Sequence, residues 1–376
     1  MSVATPSRPL RIVHVITALR VGGAEHFLLR LCKSMRDQGL AEASIISVRD
    51  IGEVGRRLAA EGFPVSALGL QTPSAIPLAI GKLARLLRQA QPDIVQTWLY
   101  HADFIGGVAA RLSRTGPVVW NLRATRPGNN AMTRALMHVN ARLSNRLPSS
   151  ILSCGAATLR AHANIGYDRR RLAVIPNGFD LGHFQPSRPD PDRKEIRFVA
   201  IGRQDEVKDF PTFIQAAAIV AKANPSARFA IYGRGVSTSE SNRRAVAAAK
   251  LGDAFQLFEQ VGDVRKVIGE ADVFCSSSIE EGFPNVLAEA MLMEVPCITT
   301  RAGDAEQIVG ETGFCVPVSD VAAFADAMNR MIAMPAEKRR SLGQKARERI
   351  ATRYELGHVA RLYHAHYRNL LVRDHR

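Results

Sequence analysis

Cysteine is scarce and scattered in this chain of 376 residues: Cys32, Cys154, Cys275, Cys297 and Cys315, with no Cys-x-x-Cys pair. An odd number at such spacing excludes a disulfide framework and a structural zinc site, and leaves most of them as small buried apolar residues. Long apolar runs are missing too; each is broken by Gly, Pro or Arg, well before the roughly 20 residues that span a bilayer. Met1 to Leu10 hold Pro6 and Pro9 but no apolar core, so no secretory signal is expected there. Aromatics make up only 6% and no recognition motif for nucleic acid appears. A nucleic-acid partner is therefore not expected, despite the basic balance. The first strand-to-helix loop has neither the Gly-x-Gly-x-x-Gly fingerprint nor a P-loop Lys-Ser/Thr, which argues against NAD and ATP.

What is present is globular: 46% hydrophobic and 23% charged residues, in a length that suits two domains. The net charge of +15 is uneven. Residues 1–190 hold 24 Lys and Arg against 11 Asp and Glu, and residues 191–376 hold 26 against 24. A half that basic usually meets a polyanion or an anionic membrane. The excess of Arg over Lys would also follow from a GC-rich genome, so charge alone does not decide.

The first half alternates strands and helices. Arg11 to Thr17, Ser44 to Val48, Val65 to Leu68, Asp93 to Thr97 and Val118 to Leu122 read as strands. Helical spacing marks Ala24 to Arg36, Val54 to Glu61, Leu78 to Gln89 and Asp103 to Leu112. Pro186 to Glu195 is a Pro-rich, charged interruption of interdomain type. The alternation then restarts with a strand at Ile196 to Ile201 and a helix at Asp209 to Ala223. Further on, Asp272 to Cys275 reads as a strand and Val286 to Met293 as a helix. Such alternation predicts an α/β chain of two Rossmann-like domains with parallel sheets, facing each other across a cleft. The expected divisions are 1–183, a linker 184–195, 196–355, and a last helix 356–376 that packs back on the first domain.

Three stretches carry chemistry. Gly22-Gly23-Ala24-Glu25 opens the first helix, where two glycines let a ligand approach the backbone and the helix N-terminus offers amides to an anion. A plain tight turn would look the same. Arg203 and Lys208 bracket the turn after strand Ile196 to Ile201 and match the two charges of a nucleotide diphosphate, although a solvated surface pair beside Asp205 and Glu206 would also fit. In the run Glu281-Gly282-Phe283-Pro284-Asn285-Val286-Leu287-Ala288-Glu289-Ala290-Met291, Pro284 suits a helix start. The amides near Asn285, Val286 and Leu287 then point at a ligand. Glu289, inside an apolar helix, is costly unless paired or bound to something. Two carboxylates alone could be a glycosidase pair; with two cations and a helix N-terminus they suit sugar hydroxyls flanking phosphates.

Together with Ile175-Pro176-Asn177-Gly178-Phe179-Asp180, these motifs stand in an order that resembles the family 4 glycosyltransferases, and the likeness covers nearly the whole chain. It implies the GT-B fold and an enzyme of hexosyltransferase type that moves a sugar from a nucleotide-diphosphate sugar with retention. By resemblance, Arg203 and Lys208 hold the donor diphosphate, Glu281 contacts the donor sugar, Glu289 holds the ribose, and Gly23, beside Gly22, meets the phosphate through its backbone. Gly282, Phe283, Asn285, Val286 and Leu287 complete the donor loop. His101 resembles the histidine beside the transferred sugar; an ordinary loop histidine is the alternative. Asn121 and Arg123, after the strand at Val118, are assigned by position alone to the acceptor side. UDP-sugars are the expected donors, with GDP-sugars the other option. No metal or cofactor is expected, because cations already meet the diphosphate; the lone Asp-x-Asp here, Asp190-Pro191-Asp192, lies in the linker.

Between Met132 and Pro148, Leu136, Val139, Leu143 and Leu147 fall on one side and Arg134, His138, Arg142 and Arg146 on another. Such a helix lies on an anionic bilayer, or packs its apolar side on a sheet. With the charge of the first half, it suggests a cytoplasmic enzyme, peripheral at the inner face of the membrane, acting on a lipid-linked or glycan acceptor. The setting would be exopolysaccharide or lipopolysaccharide assembly. The alternatives are transfer to a small soluble acceptor and, on the same scaffold, nucleotide-sugar epimerisation.

Overall fold

The structure, a computed structural model, describes residues 8–126, 130–187 and 193–374. The chain divides into two units, Met1–Gly178 with Leu356–Arg376, and Phe179–Glu355.

In the first unit the strands are β1 (Leu10–Ile16), β2 (Ala41–Ser47), β3 (Val65–Ala67), β4 (Ile94–Trp98), β5 (Val118–Leu122), β6 (Ser150–Ser153) and β7 (Leu172–Val174). They form one parallel sheet in the order β3-β2-β1-β4-β5-β6-β7. Its inner strands are near-continuous apolar or β-branched runs because helices cover both faces. The helices are α1 (Gly23–Asp37), α2 (Glu53–Ala60), α3 (Ile76–Ala90), α4 (Tyr100–Ser113), α5 (Ala131–Leu143) and α6 (Ala156–Ile165). Helix α1 buries Phe27, Leu28, Leu31 and Met35, a 3.6-residue stripe. The C-terminal helix, Leu356–Asp374, buries Val359, Ala360, Tyr363 and Tyr367 in the same core, and so returns to the first unit. Its tyrosines also make polar ties: Asn121 Nδ2 donates to the Tyr363 hydroxyl at 3.3 Å, and the Tyr367 hydroxyl donates to Gln96 Oε1.

The second unit holds β8 (Ile196–Ile201), α7 (Phe210–Ala223), β9 (Ala227–Tyr232), α8 (Glu240–Ala248), β10 (Phe255–Phe258), α9 (Val264–Gly269) and β11 (Val273–Ser276). It continues through α10 (Asn285–Leu292), β12 (Cys297–Thr300), α11 (Ala305–Val309), β13 (Gly313–Val316), α12 (Val321–Ala333) and α13 (Ala336–Tyr354). Its parallel sheet runs β10-β9-β8-β11-β12-β13. Phe198, Phe213, Phe229 and Phe324 fill the core under α7 and α12.

Both sheets reverse their winding beside a central strand, between β1 and β4 and between β8 and β11. Such a reversal opens a crevice beyond the carboxyl ends of the two strands, where ligands of parallel sheets collect.

Three expectations change. The division falls at Gly178/Phe179 instead of residue 183, because Phe179 is anchored in the second unit. Its amide donates to Tyr354 O at 2.8 Å and its ring packs 6.1 Å from Phe283. His183 and Phe184 follow it, their carbonyls taken by Arg265 and Arg347. Asp190 to Asp192 lie outside the described residues. In α5 the buried residues are Met137, Asn140 and Ala141, and Leu136, Leu143 and, just beyond the helix, Leu147 pack on the core, the second of the two expected arrangements; Val139, expected with them, is exposed beside Arg134, His138 and Arg142. The short strands β6, β7, β10 and β13 are not among the expected ones; three or four residues carry too little periodicity to mark a strand reliably.

Candidate active site

In the second unit, the β8/β11 crevice is lined by the loop from Gly202 to Asp209 and the loop from Ser277 to Pro284. Backbone and side chain join the two loops. The Ile279 amide donates to Val207 O at 2.8 Å, and Ser277 Oγ to Lys208 O at 2.9 Å. Lys208 Nζ donates to Glu281 Oε1 at 2.5 Å, and Ser278 Oγ donates to the same oxygen at 2.8 Å. Arg203 grips Asp205 Oδ2 through Nε and Nη2, at 2.9 and 2.6 Å, with its side chain 58% exposed. Partial burial opposes the charged form of Asp205. Arg203, the Val207 amide and Lys208 outweigh it and hold the carboxyl below its ordinary range.

Helix α10 begins just after Pro284, and its first internal bond runs from the Ala288 amide to Pro284 O. The amides of Val286 and Leu287 precede that bond at the positive end of the helix, where anions are favoured. Asn285, Val286 and Glu289 form the half-exposed face of α10, and Leu287, Ala288, Ala290 and Met291 are buried. The carboxylate in the apolar helix is thus on the one face that meets solvent. Two of the expected donor residues are corrected in part. Phe283 is buried against Phe179 and Tyr354, and the Leu287 side chain lies in the core, so neither side chain lines the crevice. Gly303, after β12, was not foreseen. Its φ is +59°, and a Cβ there would lie 2.0 Å from Glu281 O, so the loop bearing Glu281 rests directly on this glycine.

In the first unit, the β1/β4 crevice is flanked by Gly22–Gly23 and by the start of α4. Ile16 of β1 pairs with both Ser47 and Trp98, so β1, β2 and β4 end level. The first internal bond of α1 runs from His26 N to Gly22 O. A Cβ on Gly22 would meet Glu25 Oε2 at 2.4 Å, so the Glu25 carboxyl folds back over the glycine loop. Burial raises the pKa of Glu25, against the pull of its own amide and of Arg123. His101 is half-buried in the first turn of α4. Burial first, and then the Arg49 guanidinium, lower its pKa, which keeps the imidazole neutral near pH 7.

Of the two acceptor-side residues, Asn121 is placed otherwise than expected, and Arg123 is half-buried. Asn121 is wholly buried and spends its amide on Tyr363. Arg123 stacks 4.5 Å from the Phe27 ring and 5.4 Å from Trp98, and donates to Asn177 Oδ1. They tie β5 to the C-terminal helix and to the Pro176-Asn177-Gly178 turn; proximity in sequence to a strand end could not distinguish that from a lining role. Among the described residues, no three His, Cys, Asp or Glu side chains gather as a metal site, and no helix is long and apolar enough to cross a membrane.

Two doubly wound units, one with paired cations, a carboxylate and a helix N-terminus at its switch point, define a glycosyltransferase of the GT-B class. Residues 21–183 match the family model described as Glycosyltransferase Family 4, and residues 195–334 that described as Glycosyl transferases group 1. The chain belongs to the family 4 glycosyltransferases and is an enzyme. It is 25% identical over 268 residues to the UDP-Gal:alpha-D-GlcNAc-diphosphoundecaprenol alpha-1,3-galactosyltransferase of Escherichia coli, covering 66% of this chain and 68% of that one. It is 24% identical over 386 residues to the GDP-mannose:cellobiosyl-diphosphopolyprenol alpha-mannosyltransferase of Komagataeibacter xylinus, covering 97% and 94%. The crystal structure of Anabaena HepE in complex with UDP and glucose shares the fold, with a TM-score of 0.80 at 20% identity over 94% and 98% of the chains.

Proposed function

We propose that this glycosyltransferase moves a sugar, with retention at the anomeric carbon, from a UDP-sugar to a hydroxyl of a lipid-linked acceptor in cell-surface polysaccharide assembly. The observation that carries the reading is the gathering of Arg203, Lys208, Glu281 and the α10 N-terminus at one switch point. As the sugar leaves, negative charge develops on the diphosphate. Arg203 and Lys208, paired here with Asp205 and Glu281, meet that charge beside the α10 amides when the diphosphate takes the carboxylates' place, and a donor so placed contributes roughly 2.7–4 kcal/mol to the transition state. Glu281, braced by Ser278 and Lys208, is placed to accept from a sugar hydroxyl, and Glu289 from the ribose. In the first unit, the neutral His101 meets the transferred sugar as donor or acceptor. The two cations balance the diphosphate, so the reaction needs no metal.

A lipid-linked acceptor is supported by relatives named for diphosphoundecaprenol and diphosphopolyprenol acceptors. It is supported too by the outer face of α5, where Met132 and Val139 are exposed among Arg134, His138 and Arg142, with Arg146 just beyond the helix end. That face suits peripheral binding to an anionic inner membrane surface. The test is a thermal-shift comparison of UDP-, GDP- and ADP-sugars, since a ligand bound only by the folded state raises its melting temperature. Transfer from the stabilising donor to a polyprenyl-diphosphate glycan follows, with the anomeric configuration of the product read by NMR. Preference for GDP-sugars, inversion, abolition by a chelator, or equal use of a soluble sugar would each overturn the corresponding part.

A further inference from the structure

The turn that carries His101 has an unusual backbone. Leu99, between β4 and α4, has φ 73° and ψ 155°, a conformation that residues other than glycine rarely adopt and that persists only when the surroundings impose it. Here they do. Thr97 Oγ1 donates to Asp103 Oδ1 at 2.5 Å, and the backbone amide of Asn121 faces the same carboxyl. Asn140 Nδ2 donates to the Tyr100 carbonyl at 2.9 Å, and the Tyr100 hydroxyl lies 2.9 Å from His162 Nε2. Helix α4 reaches β4 this closely because residue 106 is glycine; a Cβ there would stand 2.6 Å from Thr97 Cγ2. Tyr100, Ala102 and Asp103 are buried, and from these first residues of α4 the His101 ring alone emerges.

Asp103 is wholly buried, and its Oδ2 has no hydrogen-bond partner. A carboxyl in such a place is costly, and an apolar side chain of similar size usually serves packing as well or better. We propose that Asp103 is a positioning residue, which through Thr97 Oγ1 fixes the first turn of α4 so that the His101 imidazole is presented at the β1/β4 crevice. The proposal rests on the reading of His101 as a group that meets the transferred sugar.

The test compares Asp103→Asn, Thr97→Val and Thr97→Ser in the full chain. The His101 ring signals, assigned by their loss in His101→Gln, are followed by NMR through a pH titration. The charged group facing the ring is Arg49, which all variants keep. Wild type and Thr97→Ser should give one sharp set of His101 signals with a midpoint below about 6.5, the ordinary histidine value. In Asp103→Asn and Thr97→Val the signals should broaden or double, and the midpoint should move toward that value. With UDP-glucose as donor, kcat should fall by up to about 10²-fold for an ångström of misplacement, with KM for the donor unchanged. Wild-type His101 signals in both variants, with melting unchanged, would overturn the proposal. If Asp103→Asn does not fold, Thr97→Val, which removes one hydroxyl, carries the decision alone. Undiminished turnover in His101→Ala would instead sink the reading of His101, while the NMR result on its placement still stands.

Discussion

The two switch-point crevices are built by opposite means. In the second unit, charges meet charges: Arg203 with Asp205 at the surface, and Lys208 with Glu281, a largely buried pair. In the first, Thr97, Asp103 and Asn121 are sealed from solvent; Thr97 bonds Asp103, and Asn121 bonds the Tyr363 hydroxyl. The Arg203–Asp205 pair, near water, is worth little, so an arriving diphosphate can exchange with that carboxylate at small cost. A sealed polar tie exchanges with nothing, because each buried group left unpaired is expensive. The second unit is thus suited to taking up and releasing an anion, and the first to holding a geometry.

The largest expected effect removes the charges of the second unit. Arg203→Ala or Lys208→Ala should lower turnover about 10²-fold or more under saturating donor, with folding preserved, as for the loss of one preorganised donor. Near-wild-type rates in both variants would erase the contrast between the crevices, since the charges would then be ordinary surface pairs.

Acid should separate the units next. His14 in β1 is fully buried, accepts from Trp98 Nε1 at 3.2 Å, and is lowered to about 3 by burial. The unfolded chain takes up a proton there near pH 6.5 and the folded chain does not. Stability is therefore full above that pH and falls as the pH drops toward 3, by about 1.4 kcal/mol per pH unit. Asp205, with its lowered pKa, keeps its contribution until the pH falls below the ordinary carboxyl range. Urea unfolding of wild type and His14→Gln between pH 7.5 and 5 should show a shallower acid slope in the variant. Equal slopes would mean that His14 is protonated in the fold.

A smaller effect concerns the C-terminal helix. Tyr367→Phe removes the tie to Gln96 and should cost about 1 kcal/mol of stability. UDP binding, which the proposed donor site assigns to the second unit, should be unchanged by calorimetry; weaker UDP binding would overturn that assignment.

The same contrast explains what could be read from residues alone. Arg203, Lys208, Glu281 and Glu289 stand in contiguous motifs, and their charge in loops or in an apolar helix marks them. Phe283 belongs to the motif for a different reason: its ring anchors the loop on Phe179 and Tyr354, a contact across 104 residues of sequence that no local pattern reveals. Asp103 resembles a solvent-facing acid in the first turn of a helix, and Thr97 an ordinary strand residue. Their meeting depends on Gly106 and on the pairing of β4 with β5. Asn121 stands at the carboxyl end of β5, but its side chain turns into the core to Tyr363, 242 residues away, which no local pattern reveals.

The finest test concerns Asp205. Its carboxylate accepts from Arg203 and also from the Val207 amide at 3.2 Å, so it both occupies the guanidinium and shapes the turn. Asp205→Asn keeps an oxygen for Val207 and removes the charge. If the pair competes with a diphosphate, freeing Arg203 should tighten UDP binding about 2–5-fold, the equivalent of up to about 1 kcal/mol for an exposed pair. The gain should shrink in 0.5 M salt, since screening weakens the competing pair in wild type first. If Asp205 instead pre-orients Arg203, the variant binds UDP more weakly at every salt concentration. The second unit would then hold its geometry as the first does, and exposure would no longer separate the two crevices.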